Sequence, residues 1–140
     1  MIRTRINENK EEVFCRWRRR YVRLTPEEWV RQQVLQSLED NYGYPHSLIG
    51  VEVFIRVGEV PKRCDAIVYD RAHHPIILIE FKAETVPLSQ TVFDQAAVYN
   101  HTLHVPYFML SNGQQTIMAR VLPNRYEYLN DIPQWKQLLS

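Results

Sequence analysis

The sequence predicts an α+β domain, a central mixed sheet flanked by helices, and three observations carry that expectation. A helix is signalled at both of its ends. Three strand-like runs follow it, with connectors too short for anything but an antiparallel meander. A second helical pattern then separates this meander from two further strands joined by a strong turn signal.

Thr25-Pro26-Glu27-Glu28 opens the first helix. Thr25 suits the N-cap, Pro26 the first helical position, and Glu28 completes a capping box. Val30, Val34, Leu35 and Leu38 recur at helical spacing, and Gly43 can close the helix in a left-handed conformation. Val51 to Val57 alternates apolar and polar residues. Arg63 to Asp70 and Ile76 to Lys82 are the next strand runs, the last being nearly continuous apolar and therefore central. A second helix is expected from Ser89 to about Leu103, with a buried stripe of Val92, Ala96, Tyr99 and Leu103. Val105 to Leu110 and Thr116 to Leu122 flank Asn112-Gly113, a hairpin signal. A last short helix is a candidate at Pro133–Leu139. The order is α-β-β-β-α-β-β. Residues 1–24, rich in arginine, read as a basic arm or short edge strand, and 25–140 as a single domain.

The 140 residues suffice for one unstapled core, and a net charge of +1 excludes a globally basic nucleic-acid coat protein. Cys15 and Cys64 stand in no paired spacing, so neither structural zinc nor a disulfide framework is expected. The charged N-terminus lacks an apolar stretch, and the longest apolar run, Pro75 to Ile79, is too short for a bilayer. A cytoplasmic protein with no membrane partner is the expectation.

The chemistry lies in three residues. Glu80 and Lys82 end the most hydrophobic strand and, two apart, share a face. A turn near Arg71–Pro75 folds Asp65 back beside them. Two carboxylates offer hard oxygen ligands to Mg²⁺, with Mn²⁺ as a substitute, and leave room for water and phosphate. Lys82 beside them can orient an attacking water or offset charge on the phosphate. The backbone carbonyl of Phe81 is a further candidate ligand. The competing reading makes Asp65 and Glu80 edge residues paired with Arg63 and Lys82.

Asp65, fourteen intervening residues, then Glu80-Phe81-Lys82 resembles the signature of the PD-(D/E)xK nucleases. The surrounding text sharpens the resemblance: Thr25 to Gln32, Tyr44-Pro45, Lys62 to Asp65, Ile79 to Ala83, Asp94 to Asn100, Pro106-Tyr107 and Ser111 to Gly113. In that order it is similar to the N-terminal nuclease domain of type I restriction enzyme R subunits, in a small stand-alone form. The resemblance covers about residues 20–122. It implies a restriction-endonuclease-like core, Mg²⁺ dependence and DNA as substrate. It implies Asp65 and Glu80 as metal ligands, Lys82 as the catalytic lysine, Gln95 as a contact to DNA and Tyr99 as its support. It also implies an acidic residue on the first helix; periodicity assigns Glu27 to the site and Glu28 to the cap. The chain holds no GxxxxGK(S/T) phosphate loop, so no ATP-driven motor is expected within it.

Arg18, Arg19 and Arg20, interleaved with Trp17 and Tyr21, suit phosphate contact and base stacking. With Arg31, Lys62, Arg63 and Gln95 they make up the expected nucleic-acid-binding set. His73-His74 reads as an exposed turn, and Glu84 extends the site only if its strand runs that far. Expected partners are DNA, separate restriction or helicase subunits, and a second copy of the chain, because a double-strand break needs two sites. The alternative function is a non-catalytic nucleic-acid-binding or assembly module of a DNA-processing complex.

Overall fold

The computed structural model describes residues 1–101 and 103–138, without the side chains of Val57 and Tyr99. The chain opens with β1 (Thr4–Asn7), β2 (Lys10–Cys15) and β3 (Arg20–Arg23), which form an antiparallel three-stranded sheet. The first 24 residues are thus a folded layer and not an arm. Charged residues hide its periodicity, yet Val13 and Cys15 alternate into full burial, and Trp17 packs on the main core.

α1 (Pro26–Tyr42) begins as expected: the Glu28 amide donates to Thr25 Oγ1 at 3.0 Å. It ends at Gly43, φ 75°, where the Gly43 and Tyr44 amides donate to the Glu39 and Leu38 carbonyls. The bond from Gly43 to Glu39 is the αL closure of the helix, and the positive φ favours glycine. β4 (Ile49–Val57), β5 (Val60–Tyr69) and β6 (Pro75–Phe81) form the meander. α2 (Gln90–His101) then crosses over to β7 (Tyr107–Ser111), which pairs parallel with β6. β8 (Thr116–Leu122) and β9 (Arg125–Tyr128) return antiparallel, and α3 (Trp135–Leu138) follows. The six-stranded sheet runs β4-β5-β6-β7-β8-β9, mixed as predicted. β9 has no counterpart in the sequence reading. The hairpin expected at Asn112-Gly113 closes through a four-residue turn, in which Asn112 Oδ1 accepts from the Gln114 and Gln115 amides at 2.9 and 2.8 Å. Asn112 Nδ2 also donates to the Val86 carbonyl at 2.8 Å, tying this turn to the segment after β6.

Both faces of the sheet are covered. Ile77, Ile79 and Phe81 of β6 join Val30, Leu35 and Leu38 of α1 in one apolar cluster. Leu78 joins Phe93, Ala96 and Ala97 of α2 in the other. The strand period of two therefore assigns Glu80 to the α2 face. The buried stripe of α2 is Phe93, Ala96, Ala97 and Asn100, shifted from the one expected; the Tyr99 side chain lies outside the described residues. Among the described residues no helix is long and apolar enough to cross a membrane.

A buried charge network ties the small sheet to the large one. Glu28 Oε2 accepts from Arg18 at 2.6 Å and from Gln32 at 3.0 Å. Arg31 Nε lies 3.3 Å from the same oxygen, without hydrogen-bond geometry. Arg18 also donates to Glu52 of β4 at 2.6 Å. Removing the central acid would leave the buried Arg31 guanidinium without its counter-charge and Arg18 with Glu52 alone. Glu28→Ala is expected to cost about 3–5 kcal/mol, read as a lower urea midpoint with an unchanged slope.

Candidate active site

The site forms where β6 ends and β5 runs on. The β5–β6 ladder reaches Ala66 opposite Ile79, so Asp65 and Glu80 are the next residues on each strand. There the Phe81 amide donates to the Asp65 carboxylate, Oδ2, at 2.9 Å. The Asp65 carbonyl accepts from Arg31 at 3.0 Å. Asp65 is therefore fixed by its side chain to β6 and by its backbone to α1. Beyond Phe81, the Lys82 amide donates to the Ser111 carbonyl at 2.9 Å, which holds Lys82 in line with the strand. Its ammonium stands 3.9 Å from Glu80 Oε2, an ion-pair distance too long for a hydrogen bond.

Glu80, Lys82 and Gln95 line one open cleft of about 350 Å³, with Val86, Val92 and Ala96 as its apolar walls. Gln95 is exposed from α2 and reaches this cleft instead of the sheet core. A larger hollow, about 470 Å³, lies at the far end of α2 around His101 and His104, away from the carboxylates. The cleft brings an acid, Glu80, together with an amine, Lys82, and an amide, Gln95.

The electrostatics reflect crowding of like charge. Burial pushes the Glu80 carboxyl above the usual range; Lys82 opposes the shift, while Asp65 and Glu27 add to it. Glu27 is also raised, by burial and by Asp65, with Arg31 and Lys82 opposing. Glu27 is exposed by surface area, yet its carboxyl feels both Asp65 and Lys82. The first turn of α1 thus divides its two acids, Glu27 toward the carboxylates and Glu28 into the buried network. The Cys64 thiol, buried beside these acids, is pushed up to about 11.

Among the described residues no group of three or more His, Cys, Asp or Glu converges closely enough to hold a metal ion. The donors present do suit a hard divalent cation in kind. Asp65 and Glu80 supply two carboxylates whose mutual repulsion a cation would relieve, and one Asp65 oxygen is engaged by the Phe81 amide. Mg²⁺ commonly takes one or two protein carboxylates and keeps its remaining positions for water and phosphate.

The expected nucleic-acid contacts divide. Arg31 is buried, hydrogen-bonded to the Asp65 carbonyl and ion-paired with Glu28, and Arg18 is committed to Glu28 and Glu52; neither faces solvent as a phosphate contact requires. Arg19 and Arg20 are exposed. Arg63 forms an ion pair with Glu52 and not with Asp65, and Lys62 is half-buried beside it on β5. Glu84 lies past the end of β6, where its carboxylate accepts from Gln114 at 2.6 Å. His73 and His74 sit in an exposed turn held by Asp70. The sequence reading missed the inward roles of Arg18, Arg31 and Glu28; the i,i+3 spacing of Glu28 and Arg31 was the available signal.

No curated protein matches this chain. Its fold is similar to the solved fragment assigned to an HsdR subunit of a type I restriction enzyme from Vibrio vulnificus YJ016. The TM-score is 0.58 and the identity 21%, over 82% of this chain and 25% of that one. The chain thus spans about a quarter of that structure's length. The family model described as type I restriction enzyme R protein N terminus matches residues 26–133, which include α1, α2, the six-stranded sheet and the cleft. The chain belongs to the family of type I restriction enzyme R protein N-terminal regions.

Proposed function

We propose that this domain is a metal-dependent DNA endonuclease of the PD-(D/E)xK type that hydrolyses phosphodiester bonds. The observation that carries the reading is the convergence of Glu80, Lys82 and Gln95 on one cleft, with Asp65 fixed beside Glu80 by the Phe81 amide. Asp65, Glu80 and the Phe81 carbonyl would hold Mg²⁺ or Mn²⁺. A cation there supplies a lowered water pKa and offsets charge on the phosphate. Lys82 donates to the attacking water or to a phosphate oxygen, where charge develops. Gln95 orients the strand across the cleft, with Tyr99 one helical turn away as its support. Glu27 deepens the negative field that draws the cation in. Exposed Arg19 and Arg20, together with Lys62 and Arg63 beside Asp65, contact phosphates; phosphate competes with Glu52 for Arg63. Separate restriction or helicase subunits, or a second copy of the chain, complete a cytoplasmic assembly able to cut both strands.

Plasmid nicking in Mg²⁺ or Mn²⁺ tests this reading. The wild-type domain is expected to nick DNA only with metal present. Lys82→Ala should lose on the order of 10²- to 10³-fold in rate, and Asp65→Ala at least as much. Equal trace activity in wild type and Asp65→Ala would remove the nuclease reading and leave the non-catalytic binding module.

A second expectation follows from the raised Glu80 carboxyl. Its charge disfavours the fold at any pH above the raised folded value. Glu80→Gln should therefore raise the thermal midpoint of the metal-free protein at neutral pH. The gain should shrink as pH falls through the raised value, where the wild-type carboxyl takes up its proton. Differential scanning calorimetry at stepped pH reads both effects.

A further inference from the structure

The family match begins at residue 26 and leaves the β1–β3 sheet outside it. One face of that sheet packs inward through Val13 and Cys15. The other presents Arg5 opposite Glu12, Glu12 opposite Arg23, Asn7 opposite Lys10, and Phe14 opposite Tyr21. Arg3 joins it beside Phe14, whose amide donates to the Arg3 carbonyl at 2.8 Å.

The two rings touch edge to face at 5.2 Å between centroids. A guanidinium lies over each: Arg3 at 4.6 Å from the Phe14 centroid and Arg5 at 3.8 Å from that of Tyr21. Arg3, Lys10 and Arg23 are exposed, and Arg5 is 47% exposed. On this face four cations therefore stand against one acid, Glu12, which is already paired with Arg5 at 2.8 Å; Glu11, the other acid of β2, alternates to the opposite face with Val13. A flat layer of guanidinium on aromatic ring, bordered by cations, is a surface on which unpaired bases stack while their phosphates are neutralised. Duplex DNA keeps its base faces internal and cannot use the stacking half of this surface.

We propose that the outward face of the β1–β3 sheet binds single-stranded nucleic acid, through stacking on the Arg5–Tyr21 and Arg3–Phe14 layers and phosphate contacts to Lys10 and Arg23. This goes beyond the cleft and needs no metal, so it is tested in EDTA. The probe is a fluorescein-labelled oligothymidine of about 16 nucleotides, beside a duplex of equal length, with anisotropy read at stepped salt.

Lys10→Glu/Arg23→Glu changes two exposed side chains. It should weaken strand binding at least tenfold and flatten the salt dependence. Tyr21→Leu should weaken the single strand on the order of ten- to a hundredfold and leave duplex affinity unchanged. Unchanged strand affinity in the charge-reversed variant overturns the proposal, and this variant decides alone if Tyr21→Leu fails to fold. Equal loss on duplex and strand in a folded Tyr21→Leu also overturns it. A wild-type chain that binds the strand in EDTA but never cleaves would reject the cleft's chemistry and leave this face standing.

Discussion

The hydrogen bond from the Phe81 amide to the Asp65 carboxylate joins the two strands at the place where burial ends. On one side of it, β6 is locked between two apolar clusters. A slip of one residue would turn Ile77 and Ile79 out of the α1 cluster and Leu78 out of the α2 cluster, so the register is held by both cores. With the register fixed, Glu80 opens toward α2, Phe81 closes toward α1, and Asp65 meets the Phe81 amide. Lys82 and Gln95 are then set by the same geometry, one through the Ser111 carbonyl and the other by the seat of α2. The arrangement of the cleft is thus a consequence of hydrophobic packing on either side of a single strand.

That arrangement works against stability. Burial raises the proton affinity of Glu80 and of Glu27, and the charge of Asp65 adds to the shift on both, with Lys82 opposing it. The fold offsets this elsewhere, in the two apolar clusters and in the inward network of Arg18, Glu28 and Arg31. The same network has a positional consequence, since Arg31 holds the Asp65 backbone while Glu28 holds Arg31. The N-terminal sheet, through Arg18, is therefore coupled to the placement of Asp65 although it lies outside the region of family similarity.

Much of this was legible in the sequence because it follows from periodicity. The Thr25 cap, the Gly43 stop, the meander, the crossover helix and the pairing of Asp65 with Glu80 all rest on patterns of two or of 3.6 residues. Helical spacing placed Glu27 inward, whereas Glu27 is exposed and Glu28 is the buried acid of the first turn. What could not be read depended on tertiary partners. β1 to β3 are short and charged, and their buried alternation shows only at Val13 and Cys15. Arg18 and Arg31 resemble surface cations until their acids are placed against them. β9 alternates charge with tyrosine over only four residues between turns, too short a run to announce a strand. Gln95 shares a sequence stripe with buried residues, but the cleft lets it stay exposed.

If Asp65 and Glu80 together hold one divalent cation, as proposed, metal binding reads it apart from catalysis. Mn²⁺ titration followed by electron paramagnetic resonance counts the ions bound to the wild-type chain, to Asp65→Asn and to Glu80→Gln. One Mn²⁺ per wild-type chain is expected, displaced by excess Mg²⁺, and that ion should be lost in either variant while the fold persists. A wild-type chain that binds no Mn²⁺, or variants that bind it as well as wild type, would rule out a cation held by these two carboxylates.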